Sequence, residues 1–253
     1  MPKHDAPPIK ATSVSFDVLE TIHEHNGVTL PELVDQIQKP KSTIHDHVRT
    51  LNELGYLLKE GRTFRVSVRF LKLGGLARAR SRFFQVGKAE VRKLADETGE
   101  HANLLVEEDG IGIFLYKEKG PESVNLDTYE GMEVYLHTTA LGKSILAEMD
   151  KSRRDDIINE HGLEKITNNT ITDREELEDE LKTIREQGYA VDNEERIDGI
   201  RCIAASVTTE NGVVGAVSIS APRRRMKGNR FEQEIPDEVL STANIIEVNI
   251  QYS

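Results

Sequence analysis

The stretch Lys39–Tyr56, KPKSTIHDHVRTLNELGY, decides how the first part of this chain is read. Pro40 suits a helix start, where a missing N–H costs nothing. Ile44, Val48, Leu51 and Leu54 then fall within one arc at about 100° per residue, and Gly55 supplies the stop. Ser42, His45, Asp46 and Arg49 point away from that arc, with Thr43 on its border and Lys41 at the entry. The exposed face is short, polar and rich in hydrogen-bonding groups. Such a helix can approach base edges in a major groove while its N-terminus and Lys41 meet phosphates.

The flanking sequence extends the pattern in both directions. Upstream, Thr29 and Glu32 form a capping box before Leu30, Leu33, Val34 and Ile37, which share one helical face. Before that, Val14, Val18, Leu19 and Ile22 predict a first helix ending at Asn26-Gly27. Downstream, YLLKEGRTFRV predicts two strands about a turn at Glu60-Gly61, with Arg62 at the tip and Arg65 on the return. Three helices and a basic hairpin make a winged helix-turn-helix over residues 13–70, preceded by a mobile tail over 1–12.

The net charge of −11 argues against nucleic acid until it is divided along the chain. Residues 1–80 hold 12 Lys and Arg against 9 Asp and Glu, a balance of +3, which leaves −14 for the rest. A mildly basic unit joined to a strongly acidic one fits a nucleic-acid-contacting module attached to a second domain. No apolar run is long enough to span a bilayer, and MPKHDAPPIKATS lacks the apolar core of a signal peptide, so a soluble cytoplasmic protein without a membrane partner is expected. The single cysteine, Cys202, excludes an intrachain disulfide framework.

RFLKLGGLARARSRFF predicts one amphipathic linker helix over 71–86, whose apolar face needs a partner in its own chain or in another. Residues 87–253 alternate strands and helices. HANLLVEED and IGIFLYKE predict a hairpin; GYAVDNE, IRCIAASVTTE and GVVGAVSIS predict further strands; TTALGKSILAEM, DREELEDELKTIREQ and PDEVLSTANIIEVNIQ predict helices. The expected class is α+β, an antiparallel sheet flanked by helices. Strand alternation puts Ile200, Cys202, Ala204 and Ser206 on one face, and Val214, Ala216, Ser218 and Ser220 on one face of the next strand. Such small residues leave room for a small polar ligand, or for a closely packed helix.

The histidines show no metal-ligand spacing and phosphate loops of the Gly-rich type are absent, so no metal, cofactor or catalytic residue is assigned. Cys202, within an apolar strand, fits a buried, unreactive thiol better than a nucleophile.

The run PKSTIHDHVRTLNELGYL resembles the recognition-helix signature of the IclR-type transcriptional regulators. LHTTALGKSILA (136–147), GYAVDNEE (188–195), GIRCIAASV (199–207) and GVVGAVSISAP (212–222) resemble stretches of that family's effector-binding domain in the same order. The resemblance implies a GAF-like curved sheet over 87–253, double-stranded operator DNA as partner, and a homodimer or homotetramer. It implies DNA contacts from Lys41, Ser42, Thr43, His45, Asp46, Arg49, Arg62 and Arg65. Carried over position by position, effector contacts fall on Ala140, Leu141, Asp192, Cys202, Ser218 and Ser220, for a small carboxylate or sugar-derived metabolite controlling catabolic genes. The acidic excess suits a halophile, and in a haloarchaeon sugar degradation is the favoured pathway. The alternative function is a ligand-sensing scaffold whose helix-turn-helix docks a protein.

Overall fold

The computed structural model describes residues 9–252. The chain folds as two compact units that divide between Ala77 and Arg78.

In the first unit, α1 (Lys10–Glu24), α2 (Leu30–Ile37) and α3 (Lys41–Glu53) enclose Val18, Ile22, Leu33, Ile44 and Val48, all essentially without solvent exposure. Each such side chain contributes roughly 1.5–3 kcal/mol by leaving water. The N-terminus of α2 carries the expected capping box: the Thr29 amide and hydroxyl donate to Glu32 Oε2 at 2.7 and 2.8 Å. These bonds hold the Glu32 carboxyl below its ordinary pKa. Gly55 takes φ +78° at the end of α3, and the Tyr56 amide closes back on the Leu51 carbonyl at 2.8 Å. Hairpin strands β2 (Leu57–Glu60) and β3 (Thr63–Val66) are joined by β1 (Val28–Thr29) in a three-stranded sheet of order β1-β3-β2, which completes a winged helix-turn-helix.

Two details differ from the sequence reading. Residues 10–12, assigned to the tail, already form the first turn of α1; the tail's first eight residues lie outside the described residues. Leu54, placed on the buried arc of α3, is 55% exposed, because it is the capping residue past the helix's last turn.

The expected single helix over 71–86 is two helices, α4 (Leu71–Arg80) and α5 (Arg82–Thr98). Ser81 separates them: its backbone is extended (φ −69°, ψ 118°) and its hydroxyl accepts from the Phe84 amide, capping α5. A helix-compatible apolar pattern hid this N-cap.

The second unit is built on a six-stranded antiparallel sheet of order β6-β5-β4-β9-β8-β7. Its strands are β4 (His101–Glu108), β5 (Ile111–Lys119), β6 (Glu133–Tyr135), β7 (Ala190–Asn193), β8 (Ile200–Thr209) and β9 (Gly212–Pro222). Strand alternation sends Leu104, Ile203, Val217 and Ile219 to one face, where they meet α5 and α9 (Ile235–Tyr252). Leu105, Ala204 and Ala216 go to the other, beneath α6 (Ala140–Glu148), α7 (Lys151–His161) and α8 (Arg174–Gln187). A bulge between Val207 and Thr208 shifts the register, so that Val213 packs on the α6 face and Val214 on the α5/α9 face. The sequence reading had put Val214 with Ala216; one extra residue in the strand reverses its side.

Small residues set how closely α6 packs. A Cβ on Gly142 would lie 2.2 Å from the Leu136 carbonyl oxygen, a backbone atom with no rotamer to escape into. Gly142→Ala is therefore expected to lower stability by about 1–3 kcal/mol, read as a lower urea midpoint; an unchanged midpoint would mean that α6 does not rest on the Leu136–Thr138 turn.

Candidate DNA-reading surface and effector cavity

On α3 the side chains of Lys41, Ser42, His45, Asp46 and Arg49 are exposed and Thr43 is half-buried. No side chain caps the N-terminus of α3, so its first amides face outward. Asp46 lies 3.7 Å from Arg49 Nη2 and 3.6 Å from His45 Nδ1. These exposed pairs are weak, which leaves Arg49 free to exchange Asp46 for a base edge or phosphate. On the wing, Arg62 stands exposed beside Gly61, whereas Arg65 pairs with Glu60 at 3.2 Å.

Two anchors of this surface were not read from sequence. His47 Nδ1 meets the Ser15 hydroxyl at 2.8 Å and ties α3 to α1. Arg69 donates to the Leu54 carbonyl at 2.7 Å and lies over the Tyr56 ring, which fastens the end of α3 to the segment after the wing.

In the second unit, Ala140, Leu141, Asp192, Cys202 and Ser218, remote in sequence, line one cavity of about 20 Å³. Antiparallel register causes the convergence. Asp192 on β7 pairs with Cys202 on β8, Cys202 with Ser220 on β9, and Ser218 with Asn103 on β4. The N-terminus of α6 closes over this row, bringing Ala140 and Leu141. One amide of this helix N-terminus is already satisfied, since Thr139 Oγ1 accepts from the Gly142 amide at 2.9 Å.

Ser220 does not line the cavity. Its hydroxyl is engaged by Asn103 Nδ2 at 3.2 Å, while Asn103 reaches Ser218 as well, also at 3.2 Å. Ile200, already placed on the same strand face as Cys202, joins the lining, and Asn103, Phe114, Arg196 and Ile197, absent from the sequence reading, complete this neighbourhood. An Asn at the third position of an apolar strand was the available signal for Asn103.

Burial governs the electrostatics. Asp192 is 3% exposed, and loss of solvent, followed by the nearby Glu195 charge, pushes its pKa up to about 7. Burial likewise raises the Cys202 thiol well above its ordinary range, which keeps it protonated and removes it as a nucleophile. Behind Asp192 lies a buried ion cluster. Lys143 of α6, wholly buried, reaches Glu195 at 2.7 Å and Glu180 at 3.1 Å, and the Glu195 amide donates to Asp192 Oδ1 at 2.7 Å. Among the described residues no group of His, Cys, Asp and Glu is placed to hold a metal ion, and no helix is long and apolar enough to cross a membrane.

A carboxyl whose pKa rises on folding costs stability as pH climbs from its unfolded value through its folded one. Asp192→Asn keeps the acceptor for Glu195 and removes the charge. It is expected to stabilise the chain at pH 8 by about 2–4 kcal/mol, with the gain vanishing toward pH 4. Thermal or urea unfolding at the two pH values measures this; an equal effect at both would show that Asp192 does not titrate between them.

Comparison with known proteins agrees with both halves of this geometry. Residues 11–61 match the IclR helix-turn-helix domain, and residues 79–248 match the bacterial transcriptional regulator IclR C-terminal domain. The "Probable HTH-type transcriptional regulator ArcR" of Halobacterium salinarum is 37% identical, over 96% of this chain and 95% of that protein. The crystal structure of Thermotoga maritima IclR superimposes with a TM-score of 0.77 at 27% identity, covering 96% of this chain and 99% of that one. An IclR homolog from Microbacterium hydrocarbonoxydans, complexed with 4-hydroxybenzoate, shares the fold with a TM-score of 0.82 at 21% identity, over 96% of this chain and 100% of that one. With both domains matched in order and nearly the whole length aligned to a relative, this chain belongs to the IclR family of DNA-binding transcriptional regulators.

Proposed function

We propose that the protein binds an operator through α3 and the wing and releases or tightens that grip when a small organic acid or sugar-derived metabolite enters the β-sheet cavity. The observation that carries this reading is the buried cavity itself, where a few polar groups converge within a mostly apolar lining. Five side chains or backbone positions, drawn from α6, β7, β8 and β9, meet around a space with a near-neutral carboxyl, a hydroxyl and a protonated thiol. A small number of convergent polar groups in an otherwise apolar space is the pattern of a small-molecule site, and these groups suit a ligand's hydroxyls and carbonyls. The Microbacterium homolog's complex with 4-hydroxybenzoate supports a small acid as the ligand class.

On the DNA side, Ser42, Thr43, His45, Asp46 and Arg49 read bases, while Lys41, Arg62 and Arg65 hold phosphates. The effector changes operator affinity only through unequal affinity for two arrangements of the protein. Leu71, Leu73 and Leu76 of α4, each more than half exposed, support a homodimer that uses this helix and presents two recognition helices to two half-sites. The acidic composition and the Halobacterium relative support work in concentrated salt, where weakened phosphate contacts leave more of the affinity to base contacts, and control of catabolic genes follows the same reading.

Binding of the purified protein to DNA from upstream of its own gene, over a salt series, tests the assignment. Arg62→Ala is expected to weaken all duplexes alike and reduce the salt slope by about one, whereas Arg49→Ala costs roughly 1–3 kcal/mol and relaxes sequence preference. Unchanged binding in both variants would remove α3 and the wing from the interface.

A further inference from the structure

The inner cavity, at about 20 Å³, holds little more than one water molecule. Beside it lies a cleft of about 460 Å³, within the range of small-molecule sites, flanked by apolar Ile111, Val134 and Ile166. The two spaces share two wall residues, Arg196 and Ile197. Arg196 is therefore the polar side chain at their boundary.

Its side chain is largely buried, 12% exposed, yet its contacts are weak. Nη1 reaches Thr128 Oγ1 at 3.3 Å, and Nη2 reaches Asp127 Oδ1 at 3.4 Å and the Met132 sulfur at 3.2 Å. A thioether is a poor acceptor, and Asp127 is 67% exposed on the loop between β5 and β6. A desolvated guanidinium normally holds a carboxylate or phosphate in close, two-pronged contact, and nothing here does so. The ring of Phe114 lies beneath it, its centroid 5.9 Å from Cζ.

Charge then orients a ligand. The inner end carries Asp192 with Glu195 behind it, and Lys143 is committed to Glu195 and Glu180. An anionic group sent inward meets Asp192, and a cationic group at the boundary meets Arg196. Only a ligand with an uncharged, hydrogen-bonding inner end and an anionic outer end satisfies both.

We propose that Arg196 is the specificity-determining residue of an extended effector site that joins cavity and cleft, and that the site takes an elongated hydroxylated monocarboxylate with its hydroxyl end toward Asp192 and its carboxylate on Arg196, in place of Asp127. This rests on reading the cavity as the effector site and adds to it the ligand's length, charge and direction.

The test uses the full chain and two matched series: glycolate, glycerate, threonate and gluconate, and the polyols ethylene glycol, glycerol, threitol and sorbitol. The acids are expected to raise the melting temperature increasingly with length, and the polyols to leave it unchanged. In calorimetric titration, Arg196→Gln weakens gluconate by about ten-fold or more, Arg196→Lys by less, and Asp127→Asn, which removes the competing carboxylate at an exposed position, tightens it several-fold. If glycolate binds as well as gluconate and Arg196→Gln changes neither, the extended site is overturned while the effector reading stands. Equal binding of acids and polyols, or weaker acid binding by Asp127→Asn, overturns it too. Stabilisation by none of the acids overturns both the extended site and the small-acid reading, and operator binding, measured without any acid, then judges the DNA-binding assignment by itself.

Discussion

The buried pair of Lys143 with Glu195 is the contact on which the second unit's chemistry depends. A lysine ammonium with no solvent exposure is tolerable only because two carboxylates meet it. Removing one partner of such a pair costs about 3–5 kcal/mol, because the other charge is left stranded. The pair also does more than neutralise itself. Lys143 belongs to α6, whose first turn roofs the cavity, and the Glu195 amide holds Asp192 in the wall. One ion pair thus fixes the helix that closes the site and the loop that carries its carboxyl.

From that constraint the character of the cavity follows. With Lys143 committed to Glu195 and Glu180, little positive charge remains to ionise Asp192, and burial carries its pKa to about 7. The site then presents hydrogen-bonding groups of low charge on one side and the Arg196 cation on the other. The first unit works by a different balance. Its core is small and apolar, and the polar groups of α3 sit on an exposed face, where pairs such as Arg49 with Asp46 are weak.

The winged helix-turn-helix was legible because its signals are local. The Thr29–Glu32 box, Pro40, Gly55 and the arc of Ile44, Val48 and Leu51 each act within one or two turns, and the structure places them as their spacing dictates. Elements without such signals were missed: α7 buries only Ile157, Ile158 and Arg154 along its length, and β6 has three residues. The break at Ser81 was invisible because apolar residues keep helical spacing across it, so only the capping bond reveals two helices.

The sequence by itself determined the fold class, the division of charge between a DNA-binding unit and an acidic one, and, through motif resemblance, five of the residues that line the cavity. Those are properties of composition, of 3.6- and 2-residue periods, and of order along the chain. Tertiary structure alone decided that Val214 turns away from the cavity, that Ser220 is engaged by Asn103, and that Arg196 stands between two spaces. A bulge, a cross-strand hydrogen bond and a loop packed over a sheet all join residues far apart in sequence. No local pattern encodes such contacts, because each depends on register and packing that exist only once the sheet has formed.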